Sequence, residues 1–210
     1  LLDVFAFAPD THPLPRPTLA DGGSPKRRQN PSRAATDPSY GFDEAGWQRF
    51  AVGLQRAVDH CRSRGFEPTL HPEAGTHVEA RWEIDRALQV TDIGLCLETG
   101  HEVVGGGDPL STLQDYGSRI NHVHLKDATR SIIEGIVRDA EPVETIWSRR
   151  AFPPLGQGDV AIHEILELLL AQGYSGWLVV EQDIMPGPDD PESAHSDQVA
   201  NRARLSQQGI

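Results

Sequence analysis

Apolar residues occur along this chain in short, nearly continuous runs, separated by stretches in which they recur at helical spacing. The runs at 2–8 (LDVFAFA), 68–73 (PTLHPE), 93–98 (IGLCLE), 120–126 (INHVHLK) and 177–181 (WLVVE) read as five strands. Between them, Asp43 caps a helix whose Trp47, Phe50, Ala51, Leu54, Ala57, Val58 and Cys61 share a face, and Gly65 stops it. Further helices are predicted near Val78–Leu88, at Pro109–Tyr116, at Ile162–Ala171 with Gly173 as its stop, and, polar in character, at 196–208. Strand followed by helix, with strands apolar on both faces, predicts a parallel sheet covered by helices in one α/β domain spanning 1–210. Residues 10–41 combine Pro, Gly, Ser, Lys and Arg without apolar periodicity and read as a long mobile loop. Residues 127–160 read as an insertion that ends in the turn-rich PPLGQGD.

Four of the strands place ionisable side chains where the apolar run gives out: His71 and Glu73, then Glu98, then His122, His124 and Lys126, then Glu181. In a (β/α)₈ barrel that end of the strands is the catalytic face. Side chains alternate across a strand, so His71 and Glu73 share a face, as do His122, His124 and Lys126, while Val123 and Leu125 turn toward the helices. Three carboxylates and several imidazoles at one mouth repel unless a counter-charge joins them, and a divalent cation supplies it. Mixed carboxylate and imidazole ligation suits Mn, Co, Zn or Fe more than Ca. A lone strand-end Glu or His is ordinarily a hydrogen-bonded structural group, the reading that fits His60 and His122. The combination of His124, Glu98 and Glu181 points to metal. Lys126 has two readings, a group acting on substrate or a rim ion pair with its neighbour Asp127. Asp108 and Gly105–Gly107 shape a loop, and Gly156 and Gly158 suggest a tight turn with positive φ.

Charge removes one class of partner. With 31 acidic against 19 basic residues the net charge is −12, which repels a phosphate backbone, so no nucleic acid is expected. Two cysteines among 210 residues make no disulfide framework and fit a reducing compartment, the cytoplasm. No apolar stretch approaches the roughly 20 residues that span a bilayer, so no membrane is expected.

The segments HPEAGTHVE (71–79), LCLETGHEVVGGGDP (95–109), RINHVHLKD (119–127), PLGQGDV (154–160) and GWLVVEQD (176–183) resemble, in order, the sugar phosphate isomerase/epimerase superfamily of xylose-isomerase-like TIM barrels, in particular its inosose-dehydratase-like branch. The resemblance is dense from Trp47 onward. It implies one divalent ion (Mn, Co, Zn or Fe), held by residues from the fifth to eighth strands of a (β/α)₈ barrel. Glu98 in ETGH stands where the family carries the Asp of a DTGH-like motif; His124 is the second His of HVH; Glu181 is the last ligand. At the first position either His71 or Glu73 could ligate or act as base. Because the family spreads eight strands over ~250 residues, the chain is expected to correspond to about strands four to eight, an incomplete barrel for which either the natural N-terminus lies upstream of Leu1 or a partner supplies the rest.

The reaction the resemblance implies is isomerisation, epimerisation or dehydration of a small polyol or keto-sugar through an enediolate, with inosose dehydration the preferred single reaction. Glu181 or Glu73 would be the base, with His101, Lys126 or His71 as acid and oxyanion partners. A homo-oligomer is compatible with the sequence. Two other readings compete: a truncated, inactive barrel, and a metal-dependent apurinic endonuclease, against which the acidic charge argues.

Overall fold

The computed structural model describes residues 14–185 and 190–209. Among them five strands form one parallel sheet in the order β1-β2-β3-β4-β5: β1 Thr18–Leu19, β2 Thr69–Leu70, β3 Gly94–Glu98, β4 Ile120–Leu125 and β5 Leu178–Val180. Nine helices alternate with them among the described residues: α1 Pro25–Arg28, α2 Glu44–Ser63, α3 Arg81–Val90, α4 Thr99–Val104, α5 Pro109–Tyr116, α6 Arg130–Arg138, α7 Glu144–Ser148, α8 Ile162–Ala171 and α9 Asp190–Ser206. Consecutive strands pair in sequence order with helices between them, the arrangement of one arc of a (β/α)₈ barrel.

Local chemistry accounts for the elements. Asp43 accepts the Gly46 N–H at 2.7 Å and caps α2, whose buried face is Trp47, Leu54, Val58 and Cys61. Asp108 caps α5, with Pro109 at its first turn. Leu95 and Leu97 of β3, Val123 and Leu125 of β4, and Ile162, Ile165, Leu166 and Leu169 of α8 are all buried in one apolar cluster between sheet and helices. The alternating residues of the same strands face the barrel interior, where the polar groups collect.

Several sequence expectations change. The strand expected at 2–8 lies outside the described residues. The loop expected over 10–41 carries β1, α1 and two single turns of 3₁₀ helix, at Arg33–Ala35 and Pro38–Tyr40. What orders this segment is Arg27, which is fully buried and makes a bidentate pair with Glu83 at 2.9 Å and a further contact with Glu79 at 3.0 Å. Glu83 also accepts the Ala80 N–H at 2.9 Å, so it starts α3 and anchors the segment at once. The expected insertion at 127–160 contains α6 and α7. Asp127 organises its return, accepting the N–H groups of Ala128, Gly156, Gly158 and Val160 at 2.7–3.1 Å. Gly156 has the positive φ expected of it, 83°. Gly158 does not; it is small because a Cβ there would collide with the Asp127 carboxylate.

Candidate metal centre

Strand register decides which side chains meet. Glu98 pairs with His124 across β3 and β4, and Val179 lies opposite His124 on β5, so Glu181 projects from the same face two residues further on. His71, one residue past β2, is fixed by its N–H to the Leu19 carbonyl at 2.8 Å. One donor atom from each of His71, Glu98, His124 and Glu181 lies within 4.8 Å of the others. The His124 Nδ1 atom is the hub, 2.9 Å from Glu98 Oε2, 3.1 Å from Glu181 Oε1 and 3.2 Å from His71 Nε2.

Glu98, His71 and His124 are buried, and Glu181 is partly exposed toward the mouth. Burial alone would raise the Glu98 pKa, but Lys126, His124 and His71 outweigh it and hold it well below the usual carboxylate range. Burial would likewise lower His124; hydrogen bonds with Cys96, Glu181 and Glu98 instead push it up to about 12. The carboxylate oxygens that face His124 Nδ1 are ones that a bound cation would take. Two imidazole nitrogens and two carboxylate oxygens, one atom from each of four consecutive strand ends, form a donor set that fits a divalent transition metal or Zn²⁺.

Around this cluster lies a second ring of polar groups. Lys126, 1 % exposed, reaches Glu181 Oε2 and Asp183 Oδ2, both at 2.9 Å, and Glu98 Oε1 at 3.7 Å. Those carboxylates outweigh its burial and raise its pKa. The expected alternative, a rim pair between Lys126 and Asp127, is not formed, because the Asp127 oxygens are taken by backbone N–H groups. Lys126 reaches inward past Gly100, where a Cβ would lie 2.6 Å from Lys126 Cγ, so the glycine of ETGH makes room for the lysine. His101, the last residue of that motif, accepts the Ala74 N–H on Nδ1 at 3.3 Å. Its proton therefore sits on Nε2, which faces Glu73 Oε1 at 3.1 Å and Asp183 Oδ2 at 3.5 Å. Phe152 walls this side, 5.3 Å from the His101 ring and 5.2 Å from Lys126 Nζ.

The sequence-predicted groups His71, Glu73, Glu98, His101, His124, Lys126 and Glu181 thus fall in one connected set. His122 lies one layer deeper, beside the His124 ring, and burial lowers its pKa to about 4. His60 is on α2, away from this set. Sequence reasoning missed Asp183, which takes contacts from Lys126, His101 and, at 3.3 Å, the indole N–H of Trp147. Its signal was available, since Asp183 continues the alternation of Val179 and Glu181.

Residues 25–203 match the family model described as xylose isomerase-like TIM barrel. The chain belongs to that family. Within it, the chain is 34 % identical over 164 residues to inosose dehydratase from Geobacillus kaustophilus (strain HTA426), covering 77 % of this chain and 52 % of that protein. Inosose dehydratase from Lacticaseibacillus casei is 32 % identical over 162 residues, covering 76 % and 54 %. The chain spans about half the length of these curated relatives. Among solved structures, a xylose isomerase domain protein from Planctomyces limnophilus aligns with a TM-score of 0.62 at 19 % identity over 79 % of this chain and 55 % of that one. The IOLI protein with a bound zinc atom aligns with a TM-score of 0.56 at 18 % identity over 77 % and 55 %. At such identities the structural matches show the shared family fold. No helix among the described residues is long and apolar enough to cross a membrane.

Proposed function

We propose that the protein is a metal-dependent enzyme acting on a small keto-polyol, with dehydration of an inosose as its preferred reaction, and that His71, Glu98, His124 and Glu181 hold the metal. The observation that carries this reading is the convergence of two imidazoles and two carboxylates from four successive strand ends to within 4.8 Å. The inosose dehydratases to which it is similar, and the zinc atom in the IOLI structure, support it. Bound there, a divalent ion would polarise a carbonyl and its neighbouring hydroxyl as a Lewis acid.

The residues around it divide the remaining work. Glu181 is clasped by Lys126 and His124, and its pKa is lowered despite burial, so it is a weak base and a good ligand. Glu73 lies across the mouth, about one-third exposed, and takes the proton next to the carbonyl. His101 Nε2–H, between Glu73 and Asp183, hydrogen-bonds the departing hydroxyl, which leaves as water with the proton that Glu73 took up. Lys126 holds positive charge beside the carboxylates and steadies negative charge that develops on substrate oxygen. Phe152 and the neighbouring Trp147 restrict water on that side.

The test is turnover and proton exchange with a 2-keto-inositol in D₂O after Mn²⁺, Co²⁺ or Zn²⁺ is supplied. Loss of the β-hydroxyl with solvent deuterium entering at the carbon that carried it is the expected result. Glu73→Gln should slow both by roughly 10²-fold or more. Metal-loaded protein that neither exchanges nor turns over any keto-polyol refutes the proposal.

A further inference from the structure

The inner face of the sheet carries a sulfur outside the four-residue cluster, hydrogen-bonded to its His124. Cys96 lies two residues before Glu98 on β3, on the same face, and is completely buried. The register pairs Cys96 with His122 and Glu98 with His124. Carried one residue beyond the Leu70–Leu95 pair, it also sets His71 level with Cys96, one layer below Glu98. His71, Cys96 and His124 each offer a donor atom within 4.8 Å of the others. Beside them the His122 ring centroid is 4.9 Å from that of His124, and His122 Nδ1, buried, has no hydrogen-bond partner among the described residues. An apolar side chain of similar size would fill the Cys96 position without bringing sulfur to two imidazoles.

We propose that Cys96 is a ligand of this centre, so that the site has two stations. A soft divalent ion such as Zn²⁺, Co²⁺ or Cd²⁺ sits inward on Cys96, His71 and His124 with one carboxylate; a harder ion such as Mn²⁺ sits outward on Glu98 and Glu181 with the imidazoles. The inference rests on the metal-centre reading above and deepens it. When the ion binds, the Cys96 thiol releases its proton to solvent and the sulfur lone pair forms the metal bond, with no change of oxidation state. The choice of station ties the metal preference to one side chain.

The experiment is a Co²⁺ titration of chelator-stripped protein, followed by near-ultraviolet absorption for a sulfur-to-cobalt charge-transfer band, with Zn²⁺ and Mn²⁺ affinities measured alongside for wild type and Cys96→Ser. The expected result is a band in wild type that Cys96→Ser abolishes, a Zn²⁺ affinity lowered by at least about tenfold, the size of effect seen even for outer partners of a ligand, and little change for Mn²⁺. Because a buried substitution can disturb folding, the wild-type spectrum is decisive by itself, and Cys96→Ala repeats the comparison. Co²⁺ bound by wild type without the band overturns the proposal and leaves the four-residue centre standing. Failure of wild type to bind any of the three ions overturns both.

Discussion

Lys126 Nζ lies 2.9 Å from Glu181 Oε2 although its side chain is only 1 % exposed. A buried cation against a carboxylate that also faces His124 competes with a metal for the same negative charge. Lys126→Met should therefore separate binding from chemistry. Metal content, measured by elemental mass spectrometry, should be retained or increased, while turnover of a keto-inositol falls by roughly 10²-fold or more. Loss of metal together with activity would show that Lys126 builds the site.

Asp127 accepts four backbone N–H groups and is nearly inaccessible to water. Asp127→Ala leaves those donors without their partner, and should lower stability by about 3 kcal/mol in urea unfolding. Hydrogen exchange should quicken at Gly156, Gly158 and Val160, and an exchange pattern unchanged at those three amides would contradict the role given to Asp127.

Two buried carboxyls make stability fall as pH rises. Burial pushes Glu102 up to about 8 from 4.5, against the opposing pull of Thr112 and Arg81, and burial pushes Glu79 to about 7 against that of Arg27. Between about 4.5 and 8 the folded chain holds protons that the unfolded chain has released, so unfolding becomes more favourable as pH rises through that window. Glu98 and Asp183, both held below their usual range, stay ionised across it, while His122, lowered to about 4 by burial, opposes the trend up to about 6.5 and His124, raised, adds to it above that. Glu102→Gln should remove its share, on the order of 4 kcal/mol between the ends of the window, as read from urea midpoints. An unchanged pH slope in that variant would show that Glu102 ionises normally in the folded chain.

The parts of the fold legible in the sequence are those that a single physical signal fixes. β3 and β4 are bounded apolar runs whose outward residues, Leu95, Leu97, Val123 and Leu125, must be buried. α5 and α8 carry their stops and starts in Asp108, Pro109 and Gly173. β1 was not legible: two residues, Thr18 and Leu19, become a strand only by pairing with Thr69 and Leu70. α4 was hidden because it begins directly on the last strand residue, with Glu98 as both strand end and helix cap. α6 could have been read, since Ile132, Ile133, Ile136 and Val137 recur at helical spacing. The ordering of 24–41 was invisible because it depends on Arg27 meeting Glu79 and Glu83 more than fifty residues away. At the candidate site, alternation along β4 and the ends of β3 and β5 placed the predicted groups together, while Asp183 was passed over because it follows a strand that ends at Val180.

The central claim is that His71, Glu98, His124 and Glu181 hold one divalent ion. The measurement that tests it most directly is metal content by elemental mass spectrometry after gel filtration, on wild type, His124→Ala and Glu181→Gln. The account predicts about one equivalent of Mn, Co, Zn or Fe in wild type and retention reduced by roughly tenfold or more in each variant. Folded wild type without metal after these ions are supplied, or variants that keep the wild-type content, would contradict it.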